Sequence, residues 1–252
     1  MLAMTNDTTN NADATSYPDL SLIEFMTAEP TDDPELFIGR SEPYGKLGIY
    51  GGHYLGQALA AALQTVPEPM LAQSFHGYFL AGGVPGKDLQ YRVTSLRDAK
   101  RGATRTITAF QGDTQVFFMM AAFKQPEAGE QHQKVGPDVA QARASDNPHA
   151  ARQLPFTFPI ALHDRVEIEW ASKTFFEGSP GDPHPLRLWM RVRGGELLDE
   201  RERQIVMAFL ADGPLALNSI IHHGVPMDTH RGASIDQAAW FHRPANPGEW
   251  ML

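Results

Sequence analysis

The run HYLGQALAAALQTV, residues 53–66, constrains this chain more than any other segment, because Ala and Leu recur at helical spacing and Pro67 closes the run. A helix over about 52–65 is expected, and its small side chains imply deep burial. Strand signals follow it. LAQSFHGYFLAGG (71–83) leads into KDLQYRVTSL, where Leu89, Tyr91 and Val93 alternate with polar neighbours as a half-buried strand requires. RDAKRG then turns into ATRTITAF, and Gln111, Gly112 and Asp113 connect to TQVFFMMAAFK, which gives an antiparallel meander. One helix with several antiparallel strands is an α+β unit.

Periodicity stops at about residue 125, and the polar, Pro- and Gly-dotted stretch over 125–164 reads as a linker. A second unit occupies 165–252. RVEIEWASKTF and LRLWMRVRG alternate as strands, LLDERERQIVMAFLADGPLALNSIIHH is helical, and GASIDQAAWFHRP (232–244) returns to strand. The first unit spans 18–124, behind an N-terminal segment, 1–17, whose Asn, Thr, Asp and Ala content predicts disorder. Both units repeat strand, helix, strand, but the second has one complete strand after its helix and is expected to be incomplete at its C-terminal end.

Composition removes several classes of function. The chain has no cysteine, which excludes disulfides, thiol catalysis and cysteine-ligated metal. Its net charge of -9 argues against nucleic acid as a partner. Neither a signal peptide nor a membrane-length apolar run is present, so a cytoplasmic protein with no membrane partner is expected.

Two places can carry chemistry. On the second helix Leu198, Ile205, Ala208, Phe209, Leu215, Ala216 and Ile220 form one buried stripe, and Asp212 falls inside it. A buried carboxylate is costly unless it is partnered or functional, although Gly213 and Pro214 also allow Asp212 simply to mark a helix end or kink. In GASIDQAAWFHRP, a strand over 233–243 would set Ser234, Asp236, Ala238, Trp240 and His242 on one face and turn Gln237 away. Gly51 and Gly52 open backbone N–H groups at a helix start. Arg92, Arg97, Lys100, Arg101 and Arg105, set against Asp98, form either an anion-facing patch or a solvated hairpin. Met119, Met120, Phe117, Phe118 and Phe123 suit a core or an apolar channel, and the adjacent His222 and His223 make a poor metal pair.

GIYGGHYLGQALAAALQTVP, QSFHGYFLAGG, YRVTSLRDAKRGATRTITAFQGDTQVFFMMAAF, MAFLAD and ASIDQAAWFHRPANPGEWML, in this order, resemble the type II acyl-CoA thioesterases. The resemblance implies a tandem, or double, hotdog fold in which each of two long helices is wrapped by a curved antiparallel sheet. It also implies hydrolysis of fatty acyl-CoA to fatty acid and CoA, with no metal or other cofactor, in a homo-oligomer. By this resemblance Asp212 and Ser234 are catalytic, holding and activating the attacking water. Substrate contacts are expected at Gly52, His53, Arg97, Lys100 and Arg101. The family's third water-binding residue, a Gln on a final strand, does not map onto this sequence, and Gln237 stands where the family more often has His. A non-catalytic acyl-CoA-binding protein and an inactive truncated form are the alternatives.

Overall fold

The structure is a computed structural model that describes residues 20–41, 48–130, 132–134, 165–170, 188–223 and 233–252, with backbone alone at residue 170 and residues 214–223. The expected N-terminal disorder over 1–17, most of the expected linker, and the side chains of Leu215, Ala216, Ile220, His222 and His223 lie outside the described residues.

Helix α1 (Leu22–Met26) starts at a capping box: the Glu24 N–H donates to the Ser21 hydroxyl and the Glu24 carboxylate accepts from the Ser21 N–H. Strands β1 (Glu29–Pro30) and β2 (Leu36–Gly39) lead to α2 (Gly51–Leu63), in which every residue from Gly52 to Leu63 is buried. The small side chains that predicted burial let strands close in on this helix. These strands are β3 (Leu71–Phe79), β4 (Leu89–Ala99), β5 (Gly102–Gln111) and β6 (Thr114–Lys124). In the second unit β7 (Val166–Trp170) pairs with β8 (Leu188–Val192), and α3 (Glu200–His223) precedes β9 (Asp236–Trp240).

The larger sheet is antiparallel throughout, in the order β1-β2-β4-β5-β6-β3-β9. It therefore takes its last strand from the second unit. The smaller sheet is extended by Met251, which exchanges backbone hydrogen bonds with Met190. Two expectations are corrected. The strand expected over 71–83 ends at Phe79, because the Gln111 amide binds the backbone of Val84 and Lys87 and holds the following residues as a loop. The strand expected over 233–243 is confined to 236–240, so Ser234 precedes the ladder and strand alternation does not reach it.

Helices α2 and α3 pack antiparallel, and polar clamps set their register. The Arg201 guanidinium, in the first turn of α3, donates to the carbonyls of Leu63, the last residue of α2, and of Val66, Pro67 and Met70 just beyond it. The Gln204 amide both accepts from the Ala72 N–H and donates to the Ala72 carbonyl, at the irregularity between Ala72 and Ser74 in β3. At the other end of the pair, a Cβ on Gly52 would collide with the Phe209 carbonyl and one on Gly56 would press on Met26 and Phe209. Close contact there requires glycine. Arg201→Met should destabilise the fold by about 2 kcal/mol, since hydrogen bonds to a charged group contribute about 1.5–3 kcal/mol, and a lowered urea midpoint at unchanged m-value would register it.

Candidate active site

The buried stripe of α3 carries a carboxylate into the contact between the two helices. Ile205, Ala208, Phe209 and Asp212 are all buried, Asp212 at 7% exposure. The helix continues through Gly213 and Pro214 to His223, so Asp212 is an interior helix residue rather than a terminal one. Ser234 donates its hydroxyl proton to Asp212 Oδ1 at 2.9 Å. From the first unit, the Gly52 N–H in the first turn of α2 donates to the same carboxylate. A Cβ on Gly51 would lie 2.6 Å from Asp212 Oδ2 and 2.9 Å from Phe79 Cε1, which places the phenyl edge beside the carboxylate. Tyr50 completes the surround, its ring 5.2 Å from that of Phe209 and its hydroxyl donating to the Phe209 carbonyl at 3.0 Å.

Three effects act on the Asp212 proton. Burial raises the pKa and is the largest, while the hydrogen bonds from Ser234 and Gly52 lower it. The order of magnitudes agrees: a helix N-terminus favours a nearby anion by about 0.3–1 kcal/mol, up to ~2 when partly buried, whereas desolvating a carboxylate costs several kcal/mol. The net pKa lies above the ordinary carboxylate value of 3.8. A raised carboxylate that keeps two donors is a group able both to hold a water and to take its proton.

The remaining expected residues scatter. Gly52 is at the site, but its N–H is already engaged by Asp212. His53 is fully buried, with Nε2 2.8 Å from the Arg40 carbonyl, and burial pushes its pKa down to about 4. It belongs to the core and does not face a ligand, because the turn that exposes Gly51 carries residue 53 inward. Arg97, Lys100 and Arg101 sit at the β4–β5 hairpin. That hairpin lies by the other end of α2, where Arg105 binds Thr65, and the 13-residue helix puts about 20 Å between it and Gly52. The basic patch is also reduced: Arg105 is buried on Asp98, Arg101 pairs with Glu127, and Arg92 pairs with Asp33. Arg97 and Lys100 make no ion pair among the described residues.

The face assignment of the 232–244 segment is corrected as well. Asp236 and Trp240 are exposed on the outer face of β9, with Asp236 2.8 Å from His76 Nε2, whereas Ser234 turns inward. Gln237, expected to point away from the site, is buried at 6% exposure on the inner face. Likewise Met120 is exposed while its neighbour Met119 is sealed in the core, so the pair does not line one channel. Sequence reasoning did not single out Tyr50 and Phe79. Phe79 meets the Gly51 position beside Asp212 and Tyr50 meets Phe209, long-range contacts that no local pattern encodes. Among the described residues no three of His, Cys, Asp and Glu gather as a metal site, and no helix is long and apolar enough to cross a membrane.

Comparison with known proteins is consistent across the chain. Residues 40–124 match the family described as acyl-CoA thioesterase N-terminal domain, and 137–252 match acyl-CoA thioesterase C-terminal domain. Acyl-CoA thioesterase 2 of Haemophilus influenzae is 29% identical over 241 residues, covering 92% of this chain and 84% of that one. Human acyl-coenzyme A thioesterase 8 is 29% identical over 247 residues, covering 90% of this chain and 76% of that protein. A tesB protein of Mycobacterium avium subsp. paratuberculosis superposes with a TM-score of 0.73 at 22% identity, over 91% of this chain and 82% of its own. A hotdog-fold protein of Alicyclobacillus acidocaldarius superposes with a TM-score of 0.64 at 19% identity, over 90% of this chain and 79% of its own.

The raised pKa of Asp212 fixes the sign of one prediction. Between 3.8 and its native value the folded chain holds a proton that the unfolded chain has lost, so this residue lowers stability as pH rises through that window. Asp212→Asn should therefore gain thermal stability relative to the unsubstituted protein near neutral pH, with the difference vanishing below 3.8, as paired melting curves across pH would reveal.

Proposed function

The chain belongs to the type II acyl-CoA thioesterase family, and from that membership we propose that it hydrolyses fatty acyl-CoA by water attack, with Asp212 as base and Ser234 as the group that orients the water. We read its hotdog fold as two units in tandem with α2 and α3 as their central helices, a reading supported by separate matches to an N-terminal and a C-terminal thioesterase domain. The observation that carries the reading is the hydrogen bond of 2.9 Å between Ser234 and a carboxylate buried at the contact of the two units.

Chemically the arrangement suits a thioester, which is already activated and needs no metal or covalent intermediate. A water held against Asp212 attacks the carbonyl carbon and gives its proton to the carboxylate. The tetrahedral intermediate then collapses, the C–S bond breaks, and the thiolate of CoA recovers that proton. Atoms and charge balance without another reactant. Ser234 donates its hydroxyl proton to Oδ1 and keeps its oxygen lone pairs to accept from a water held by the carboxylate. Burial keeps bulk solvent from the carboxylate and raises its pKa, which favours general base catalysis at pH values above the ordinary carboxylate range.

Two measurements test it. Release of free thiol from a series of acyl-CoAs should fall by about 100- to 10,000-fold in Asp212→Asn, the range that a general base contributes. Undiminished turnover would refute the assignment. Ser234→Ala should lose up to about 100-fold, the cost of a water displaced by about 1 Å. In the unsubstituted protein kcat should decline on acidification with a midpoint above 3.8, because protonation of Asp212 removes the base.

A further inference from the structure

Gln237 is the buried polar side chain that the site described so far leaves without a task. It is 6% exposed, and its amide makes no hydrogen bond with any described residue. A carboxamide buried without a partner is costly, so an apolar residue of the same size would serve the core better. The cost is unrelieved locally. Other buried glutamines in the chain are fully used: Gln57 bonds Phe25, Arg40 and Tyr91, and Gln204 bonds both backbone groups of Ala72.

Its position is given by register. Gln237 lies opposite Gly77 in the β3–β9 ladder, and a Cβ on Gly77 would be 3.2 Å from Leu55. Leu55 is one turn along α2 from Gly51, and Phe79, two residues beyond Gly77 on the same face of β3, is the residue that touches Gly51 beside Asp212. Gln237 is thus one strand step, about 6.6 Å, from the level of the carboxylate and on the same side of the sheet. Opposite it, the inner face over Gly77 is covered by the Phe117 ring, whose Cζ would lie 2.6 Å from a Cβ there.

Thioester hydrolysis by the route above develops negative charge on the carbonyl oxygen, and that charge needs a donor. The Gly52 N–H is committed to Asp212. We propose that the Gln237 carboxamide donates a hydrogen bond to the thioester carbonyl oxygen and strengthens that bond as the oxyanion forms, making Gln237 a further catalytic residue. The proposal rests on the hydrolase reading of Asp212 and Ser234. It accounts for the missing partner: the amide's partner is the substrate.

The test compares Gln237→Leu and Gln237→His with the unsubstituted protein and with Asp212→Asn, reading kcat, KM and melting temperature on one acyl-CoA. Loss of a single oxyanion donor should lower kcat by about 100- to 1,000-fold in Gln237→Leu while KM stays within a few-fold. The same variant should melt at or above the original temperature, because it removes an unpaired polar group from a buried site. Gln237→His, which restores an N–H donor, should recover part of kcat. Unchanged kcat in Gln237→Leu overturns the proposal. So does a fall in kcat that accompanies a fall in melting temperature and is not recovered by His, since that is the signature of packing. Full turnover in Asp212→Asn would instead defeat the base assignment, and the Gln237 comparison would still read independently of it.

Discussion

The N–H of Gly52 donates to the Asp212 carboxylate across the contact between α2 and α3, and the site exists because the two helices can come that close. Any side chain at 52 would meet the Phe209 carbonyl, and one at 51 would occupy the space between Asp212 and Phe79. The glycine pair therefore has a packing role and an electrostatic one that cannot be separated. It brings a helix start, with its unpaired N–H groups, against a carboxylate that a neighbouring helix has carried indoors. Neither unit contains the site alone: the donor comes from the first and the acid and hydroxyl from the second.

Register between the helices is held at a distance from the chemistry. Arg201 ties the start of α3 to the carbonyls that follow α2, and Gln204 ties the same helix to β3. From Arg201 to Asp212 is three helical turns on one face, so an anchor at one end of the pair determines where the carboxylate arrives at the other. The seventh strand closes the arrangement. By pairing with β3, β9 fixes the segment just before it, and the Phe79 N–H to Ile235 carbonyl bond continues that pairing to within one residue of Ser234.

Much of the fold was legible along the chain, because it is built from periodic local signals. The apolar-small helix, the β4–β5–β6 meander and the alternating strands of the second unit all follow from spacing that neighbouring residues set. Asp212 was legible too, since its place in the stripe of Ile205, Ala208 and Phe209 is a property of one helix. What spacing misjudged were positions whose surroundings come from elsewhere. Ser234 was assigned a strand face but lies outside the ladder; Gln237 was turned outward by the same count and is inside; His53, next to the glycines, is in the core. The hairpin cations looked like one patch, yet Arg92 and Arg101 are matched by acids from distant positions, Asp33 and Glu127, and Arg105 by Asp98.

The sequence by itself determined the elements and their buried faces, since helix and strand periodicity are decided by residues a few positions apart, and its ordered segments carried the resemblance to a thioesterase family. Tertiary structure decided which groups share a pocket. The 2.9 Å contact of Ser234 with Asp212, the capture of the Gly52 N–H, and the burial of Gln237 all depend on segments brought together across long stretches of chain. Such contacts arise from packing between surfaces, and the energy that places them belongs to the assembled core rather than to any stretch of residues within it.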